Sequence, residues 1–418
     1  MKSISLSHKF HGLVLALGLL TGVGYAAQAV AADDSYFDEL QRGRYLTRVG
    51  DCQGCHTIPG NAPFTGGRAI VTPFGTLLSP NLTPDVETGI GGWSDAQFLQ
   101  AVKHGIRRNG RKIYPALPYS YYTKASDSDL LAIRAYLNSL QPVRNPVVSN
   151  QLAFPFSIRY VMTGWNMLFF TPGDFEPNPA KSEEWNRGAY LVDGLGHCGA
   201  CHTPRNMLGG EKSAYLQGGE TDGFTAPNIT GDKRFGLGDW TEDDIVTYLK
   251  TGRNYMTAAT GPMAEVVQFS TQYMTDGDLK AMAVYLKDMK GSGKSAPAPL
   301  PMTDAVMKAG EAVYLDNCSA CHVSNGTGAM PIFPALKGNA IVQSENTATV
   351  RRILLHGTKP VATAKAPTAP AMPAFNWKLT DEQAASVITY IRNAWGNAAS
   401  PVSAGDVQKT REVLSIGG

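Results

Sequence analysis

Charge is scarce in this sequence: 17% of its 418 residues are Asp, Glu, Lys or Arg, and 37 Lys+Arg against 35 Asp+Glu leave a net charge of +2. That near balance excludes a chain that coats nucleic acid through a basic surface. Long apolar runs are missing after residue 31. The best candidate, 154–170, is interrupted by Pro155 and Arg159 and falls short of the ~20 apolar residues a spanning helix needs. There is no glycine-rich nucleotide loop, carboxylate pair or Ser-His-Asp pattern, so substrate chemistry of those kinds has no residues to rest on. No methionine occurs between Ala32 and Val161, and no cysteine falls outside one repeated motif. What is present is a 43% share of apolar residues, which excludes a disordered chain, with 44 Gly and 26 Pro that imply many turns between short elements.

The N-terminus reads as an address. Lys2, His8 and Lys9 precede an apolar, uncharged stretch from Gly12 to Tyr25, and Ala27-Gln28-Ala29 and Ala29-Val30-Ala31 are small-x-small cleavage patterns. Residues 1–31 are expected to be a secretory signal peptide cut after Ala31. The mature chain is then exported and either soluble or peripherally attached at the periplasmic face of the cell membrane.

The six cysteines form Cys52-Gln53-Gly54-Cys55-His56, Cys198-Gly199-Ala200-Cys201-His202 and Cys318-Ser319-Ala320-Cys321-His322. Two thiols three positions apart on one helical turn can add to the two vinyl groups of a haem. The histidine directly after can then sit under the iron as its proximal ligand. A zinc site needs about four ligands, and here the motifs stand far apart with no second cysteine pair nearby. A redox dithiol has no need of a trailing histidine three times over. Short structural disulfides would close unusually small loops. The spacing points to three covalently bound haem c groups, held by Cys52, Cys55, Cys198, Cys201, Cys318 and Cys321, with His56, His202 and His322 as iron ligands.

Each motif lies in the same neighbourhood. Upstream stand Arg42-Gly43-Arg44-Tyr45-Leu46, Arg187-Gly188-Ala189-Tyr190-Leu191 and Gly310-Glu311-Ala312-Val313-Tyr314-Leu315. Downstream, the first two copies share Ser79-Pro80-Asn81-Leu82-Thr83 with Ala226-Pro227-Asn228-Ile229-Thr230, and Trp93-Ser94-Asp95 with Trp240-Thr241-Glu242. Ser94 and Thr241 are expected N-caps of helices that stop at Gly105 and Gly252. Ser126, Thr275 and Thr380 open closing helices with apolar residues at helical spacing, each with a tyrosine, Tyr136, Tyr285 or Tyr390, that is expected to cross the upstream helix at its glycine. The division is 32–148, an aromatic connector 149–182, 183–290, a Gly/Ser/Pro linker 291–301, 302–397 and a tail 398–418. All elements read as helix and loop.

These motifs resemble the triheme cytochrome c subunit of bacterial membrane-bound dehydrogenases, the alcohol, gluconate, fructose and sorbitol enzymes. Matching stretches are Thr72-Pro73-Phe74-Gly75-Thr76, 194–205 around the second motif, Gly261-Pro262-Met263-Ala264-Glu265, Met372-Pro373 and Trp395-Gly396-Asn397. The resemblance covers nearly the whole mature chain. It implies an all-α fold of three consecutive class I cytochrome c-like haem domains. It also implies electron flow from a membrane-bound flavin- or quinone-dependent dehydrogenase catalytic subunit to ubiquinone at the inner-membrane surface, with no nucleic acid partner and no substrate chemistry by this chain alone.

The same resemblance implies Met263 and Met372 as second iron ligands. Met263 lies 61 residues after His202 and Met372 lies 50 after His322; Met256 and Met274 compete with the first, Met330 with the second. In the first unit the family's Tyr-Pro-Ala-Met-Pro-Tyr becomes Tyr114-Pro115-Ala116-Leu117-Pro118-Tyr119, and Leu117 also lies 61 residues after its histidine, His56. That iron is left open, or takes His104, Lys112 or Tyr119. His104 also reads as a helix C-cap. The basic cluster Lys103, His104, Arg107, Arg108, Arg111 and Lys112 reads as a solvated helix end, or as a partner of haem propionates or of an acidic surface. Two further functions stay open: a free periplasmic carrier, and a haem enzyme acting at the first iron. The connector and the tail are the expected membrane contacts, with Trp165, Phe169 and Phe170 foremost.

Overall fold

The computed structural model describes residues 36–148, 150–329 and 332–416. The expected signal peptide, 1–31, and the rival ligand Met330 lie outside the described residues.

One helix crossing recurs three times. A first helix (36–49, Glu183–Tyr190, Ala305–Asn317) packs against a closing helix (Asp127–Asn138, Asp276–Asp288, Asp381–Asn393). At each crossing a glycine meets backbone. A Cβ on Gly43 would stand 1.9 Å from the Ala132 carbonyl oxygen, on Gly188 1.9 Å from that of Ala281, and on Gly310 2.2 Å from that of Ser386. Tyr136, Tyr285 and Tyr390 lie with their Cβ atoms at the same three points. The closing helices start as their caps dictate: Ser126, Thr275 and Thr380 accept the amides of Asp129, Asp278 and Gln383. Ser94 and Thr241 build full capping boxes, and their helices end at Gly105 and Gly252 in left-handed conformation.

The first two units share one continuous core, running from Leu46, Val49 and Phe98 through Leu191 and Leu195 to Met282 and Tyr285. Their interface has approximate two-fold character. Asp278 accepts from Arg187 of its own unit at 2.7 and 2.8 Å and from Tyr45 of the other at 2.5 Å. Asp129 likewise accepts from Arg42 of its own unit and Tyr190 of the other. The third unit has a separate core around Met307, Tyr314, Leu355 and Tyr390. It docks on the second where Thr349 receives the Thr225 amide (2.6 Å) and Val361 packs on Ala259 and Val267.

The reading of helix and loop throughout needs correction, because five short strands are present among the described residues. β1 (Ala69–Thr72) and β2 (Gly75–Leu78) form an antiparallel hairpin, to which the connector adds β3 (Gln151–Leu152). Gly75, at φ 122°, allows this approach, since a Cβ there would come within 2.4 Å of the Gln151 carbonyl oxygen. β4 (Gln217–Thr221) and β5 (Phe224–Asn228) form the second hairpin. Four or five residues carry barely two periods of alternation, too few to show against helical patterns. A sequence signal did exist for the second. Asp222-Gly223 joins two strands through residues at φ 51° and 73°, the mark of a two-residue hairpin turn.

The connector is a strap on the first two units, not a free segment. Its helix Val161–Phe169 buries Met162 against Leu77 and Tyr114, and Asn166 accepts the Tyr119 hydroxyl at 2.7 Å. The Trp165 indole donates to the Leu208 carbonyl (2.9 Å), Phe169 lies over Gly210 and Phe170 meets Tyr119 edge-on. The linker 291–301 has no regular structure but is tethered by Ser292 to Asp232 and by Lys294 to Glu345. The tail forms a helix, Ala404–Ile416, that buries Val407 in the third core and ties Arg411 to Asp381 at 2.6 Å. Arg392, fully buried, holds the turn before it by donating to the Ser400, Val342 and Ser344 carbonyls.

Candidate functional site

Each Cys-x-x-Cys-His run forms a single short helical turn, Cys52–His56, Gly199–His202 and Ser319–His322. That turn brings the two sulfurs to one side and the imidazole after them, the geometry that spacing demands. What fixes the imidazoles is a proline carbonyl in each case. His56 Nδ1 lies 2.7 Å from Pro80 O, His202 Nδ1 2.7 Å from Pro227 O, and His322 Nδ1 3.0 Å from Pro334 O. A carbonyl only accepts, so Nδ1 carries the proton and Nε2 keeps its lone pair. Burial pushes all three imidazoles below their usual pKa, which the bond to the carbonyl only partly offsets. Each is therefore neutral, with one tautomer and one free nitrogen, the state an iron ligand requires.

None of the six cysteines is paired in a disulfide. Burial pushes Cys52 and Cys198 up to about 12, and Cys55 and Cys318 to about 11. A thiolate is costly in such surroundings, whereas a thioether, which never ionises, is suited to them. Among the described residues no three His, Cys, Asp or Glu side chains come together to hold a metal ion, so the zinc reading has no geometry behind it. The residues present fit haem c.

Several positioning groups were not foreseen. Arg68 donates to the Gly54 carbonyl inside the first motif and pairs with Glu265 at 2.6 Å; Arg205 donates to the Ala200 carbonyl at the matching place in the second, at 2.9 Å. Tyr122 joins the approaches to both motifs: its hydroxyl donates to Gly50 O at 2.9 Å and its ring meets that of His197, centroids 5.6 Å apart. The first and second motifs are thus neighbours. The Pro80 and Pro227 segments stood out in sequence as repeats, but the direction of a carbonyl is a tertiary fact.

The positions singled out opposite the histidines, two of them methionines, fall at the edges of the cores. Leu117 and Met263 flank the shared first core, and Met372 flanks the third. Leu117 and Met263 occupy the same place in a repeated turn. The Ile113 amide donates to Gly105 O and the Ala259 amide to Gly252 O, both at 2.7 Å, four residues before Leu117 and Met263. Met372 is reached differently, through a two-way bridge with Thr358 (3.1 and 2.8 Å). Met274 is a core residue, 2% exposed, and Met256 is partly buried, its carbonyl accepting from Asn339 of the third unit. His104 ends its helix beside Gly105, and the exposed His356 does the same at Gly357.

A cytochrome c family model matches residues 307–395. The chain is 40% identical over 424 residues to the gluconate 2-dehydrogenase cytochrome c subunit of Pantoea cypripedii, covering 96% of this chain and 94% of that one. The chain belongs to the family of dehydrogenase cytochrome c subunits. It is also 39% identical to the cytochrome c subunit of the quinone alcohol dehydrogenase of Gluconobacter oxydans (strain 621H), over 96% of this chain and 87% of that one. To the fructose dehydrogenase cytochrome subunit of Gluconobacter japonicus it is 35% identical, over 94% and 87%. As in any cytochrome c domain, the third unit of this subunit carries its haem covalently. Its aromatic trio, Tyr314, Tyr390 and Trp395, with ring centroids 5.0 to 5.5 Å apart, closes the crossing beside the third motif.

Proposed function

We propose that this chain accepts electrons from a partner flavin- or quinone-dependent alcohol or sugar dehydrogenase and passes them over three covalently bound haems to ubiquinone at the periplasmic face of the cell membrane. The observation that carries this reading is the threefold recurrence of one device, a Cys-x-x-Cys-His turn whose imidazole is held by a proline carbonyl with Nε2 free. When bound, each haem supplies one-electron redox chemistry. Met263 and Met372 would be the residues that hold the second and third irons opposite His202 and His322, where thioether sulfur favours a high potential. Oxidation of the organic substrate is assigned to the partner. Mixed with the dehydrogenase subunit, the purified protein should reduce a ubiquinone analogue at the expense of alcohol or sugar. Alone it should turn over none. Steady oxidation of such a substrate by the isolated chain would overturn the assignment.

Attachment to the membrane rests on the connector, with a different set of side chains from those first expected. Trp165, Phe169 and Phe170 are spent on the protein itself. The outward residues are Phe154, Tyr160, Met167 and Leu168, 71 to 84% exposed, with Met207 in the adjoining loop. Among the connector's own residues Arg159, which donates to Lys112 O at 3.0 Å, stands near the exposed Arg107 and Arg111. An apolar face rimmed with arginine suits the interface of an anionic bilayer. No helix among the described residues is long and apolar enough to cross one. Serine at Phe154, Tyr160, Met167 and Leu168 should abolish most co-sedimentation with anionic vesicles, each burial being worth roughly 1.5–3 kcal/mol. Unchanged sedimentation would place the attachment elsewhere.

A further inference from the structure

The first motif differs from the other two in what can stand opposite its histidine. Leu117 sits where the second unit has Met263, at the same offset from the histidine and after the same Gly105/Gly252 turn. A leucine has no lone pair. Between residues 36 and 148 there is no methionine, and the one histidine besides His56 is His104.

The residues that could substitute are placed elsewhere. His104 lies on the face of its helix with the exposed Gln100, one turn away, and lines an outer cleft with Met167 and Phe170 of the connector. The opposite face of that helix, Phe98 and Val102, packs into the core that Leu117 borders. His104 would have to cross the helix to reach that side. Lys112 lines the same outer cleft. The Tyr119 hydroxyl is spent on Asn166, that of Tyr114 on Phe156 O (2.8 Å) and that of Tyr122 on Gly50 O. Met162 of the connector lies behind this loop but is 6% exposed, enclosed by Leu77, Tyr114 and Ala116.

We infer that the iron at His56 has no sixth ligand from the protein and forms a binding site for a small neutral exogenous ligand, of the carbon monoxide or nitric oxide class. The inference rests on the reading that the first motif carries haem. The residue at the place of Met263 is a methyl-ended leucine, and the hydroxyls of Tyr114, Tyr119 and Tyr122 are spent on other partners. Leu117 and these spent phenols offer an anion neither a hydrogen-bond donor nor a positive charge, and a neutral diatomic needs neither. Neutral ligands should accordingly bind well ahead of cyanide or fluoride.

The experiment uses the full mature chain. Intact mass is read first: fewer than three haems would defeat the underlying reading, not this inference. With three present, the oxidised wild type should show one high-spin ferric signal beside two low-spin ones. The dithionite-reduced protein should bind one equivalent of carbon monoxide in a difference titration. Leu117→Met should lose both the high-spin signal and the carbon monoxide site, and Met263→Leu should raise the stoichiometry to two. The wild-type and Met263→Leu measurements stand even if Leu117→Met does not fold. His104→Ala and Met162→Leu should leave the stoichiometry at one. A wild type with three low-spin signals and no carbon monoxide binding would overturn the inference. In that case whichever of His104→Ala and Met162→Leu opened a site would identify the ligand.

Discussion

Replacement of Cys201 by Ala is expected to leave a protein one haem lighter, with its second unit unfolded and its first unit destabilised. The second motif turn, Gly199–His202, is placed against both β4 and β5, and Gly219 lies so close that a Cβ there would reach the Cys201 carbonyl oxygen at 2.3 Å. Large-to-small changes of a single core side chain cost roughly 2–5 kcal/mol, and losing a haem removes far more surface than one side chain. A domain's whole stability is about 5–15 kcal/mol. Because the first two units share a core through Leu191, Val192 and Leu195, the damage should spread to the first. The third unit, with its own core, should keep its spectrum. Intact mass and limited proteolysis read the result; a mature product with three haems and an unaltered digestion pattern would contradict it.

The second large effect concerns the helix crossings. Gly188→Ala should cost about 3 kcal/mol or more, because the new methyl would sit 1.9 Å from the Ala281 carbonyl oxygen and 2.9 Å from Tyr285 Cβ. Backbone lies on both sides, so no rotamer change relieves the overlap and the two helices must separate. Gly277→Ala is the matched control. It lies in the closing helix of the same unit, with no heavy atom near its Cβ position. There the substitution should be neutral or stabilise by roughly 0.5–1 kcal/mol. Urea unfolding of the two variants reads the difference. Equal midpoints would show that the crossing tolerates a separation the packing denies.

Local chemistry made much of this protein legible before any fold was known. The capped helices follow from Ser126, Thr275 and Thr380, because a cap needs only its own side chain and an amide three residues on. The glycine-against-tyrosine crossing could be read from Gly43, Gly188 and Gly310 because it repeats. The cysteine–histidine turns are complete within five residues each. The second hairpin is signalled only by Asp222-Gly223, because its strands are short and poor in β-branched residues.

By itself the sequence determined which groups can meet a haem, since that chemistry is written within single helical turns, and that the chain repeats one unit. The tertiary structure decided three things that depend on long-range direction. It turned the Pro80, Pro227 and Pro334 carbonyls onto Nδ1 and so chose the tautomer of each histidine. It merged the first two units into one core through the paired bonds of Asp129 and Asp278, which no local pattern encodes because each aspartate takes its tyrosine from the other unit. And it laid the connector down so that Trp165, Phe169 and Phe170 face the protein while Phe154, Tyr160, Met167 and Leu168 face outward. Composition shows that such a segment is aromatic, but which side of a helix is buried is settled only by the surface it lands on.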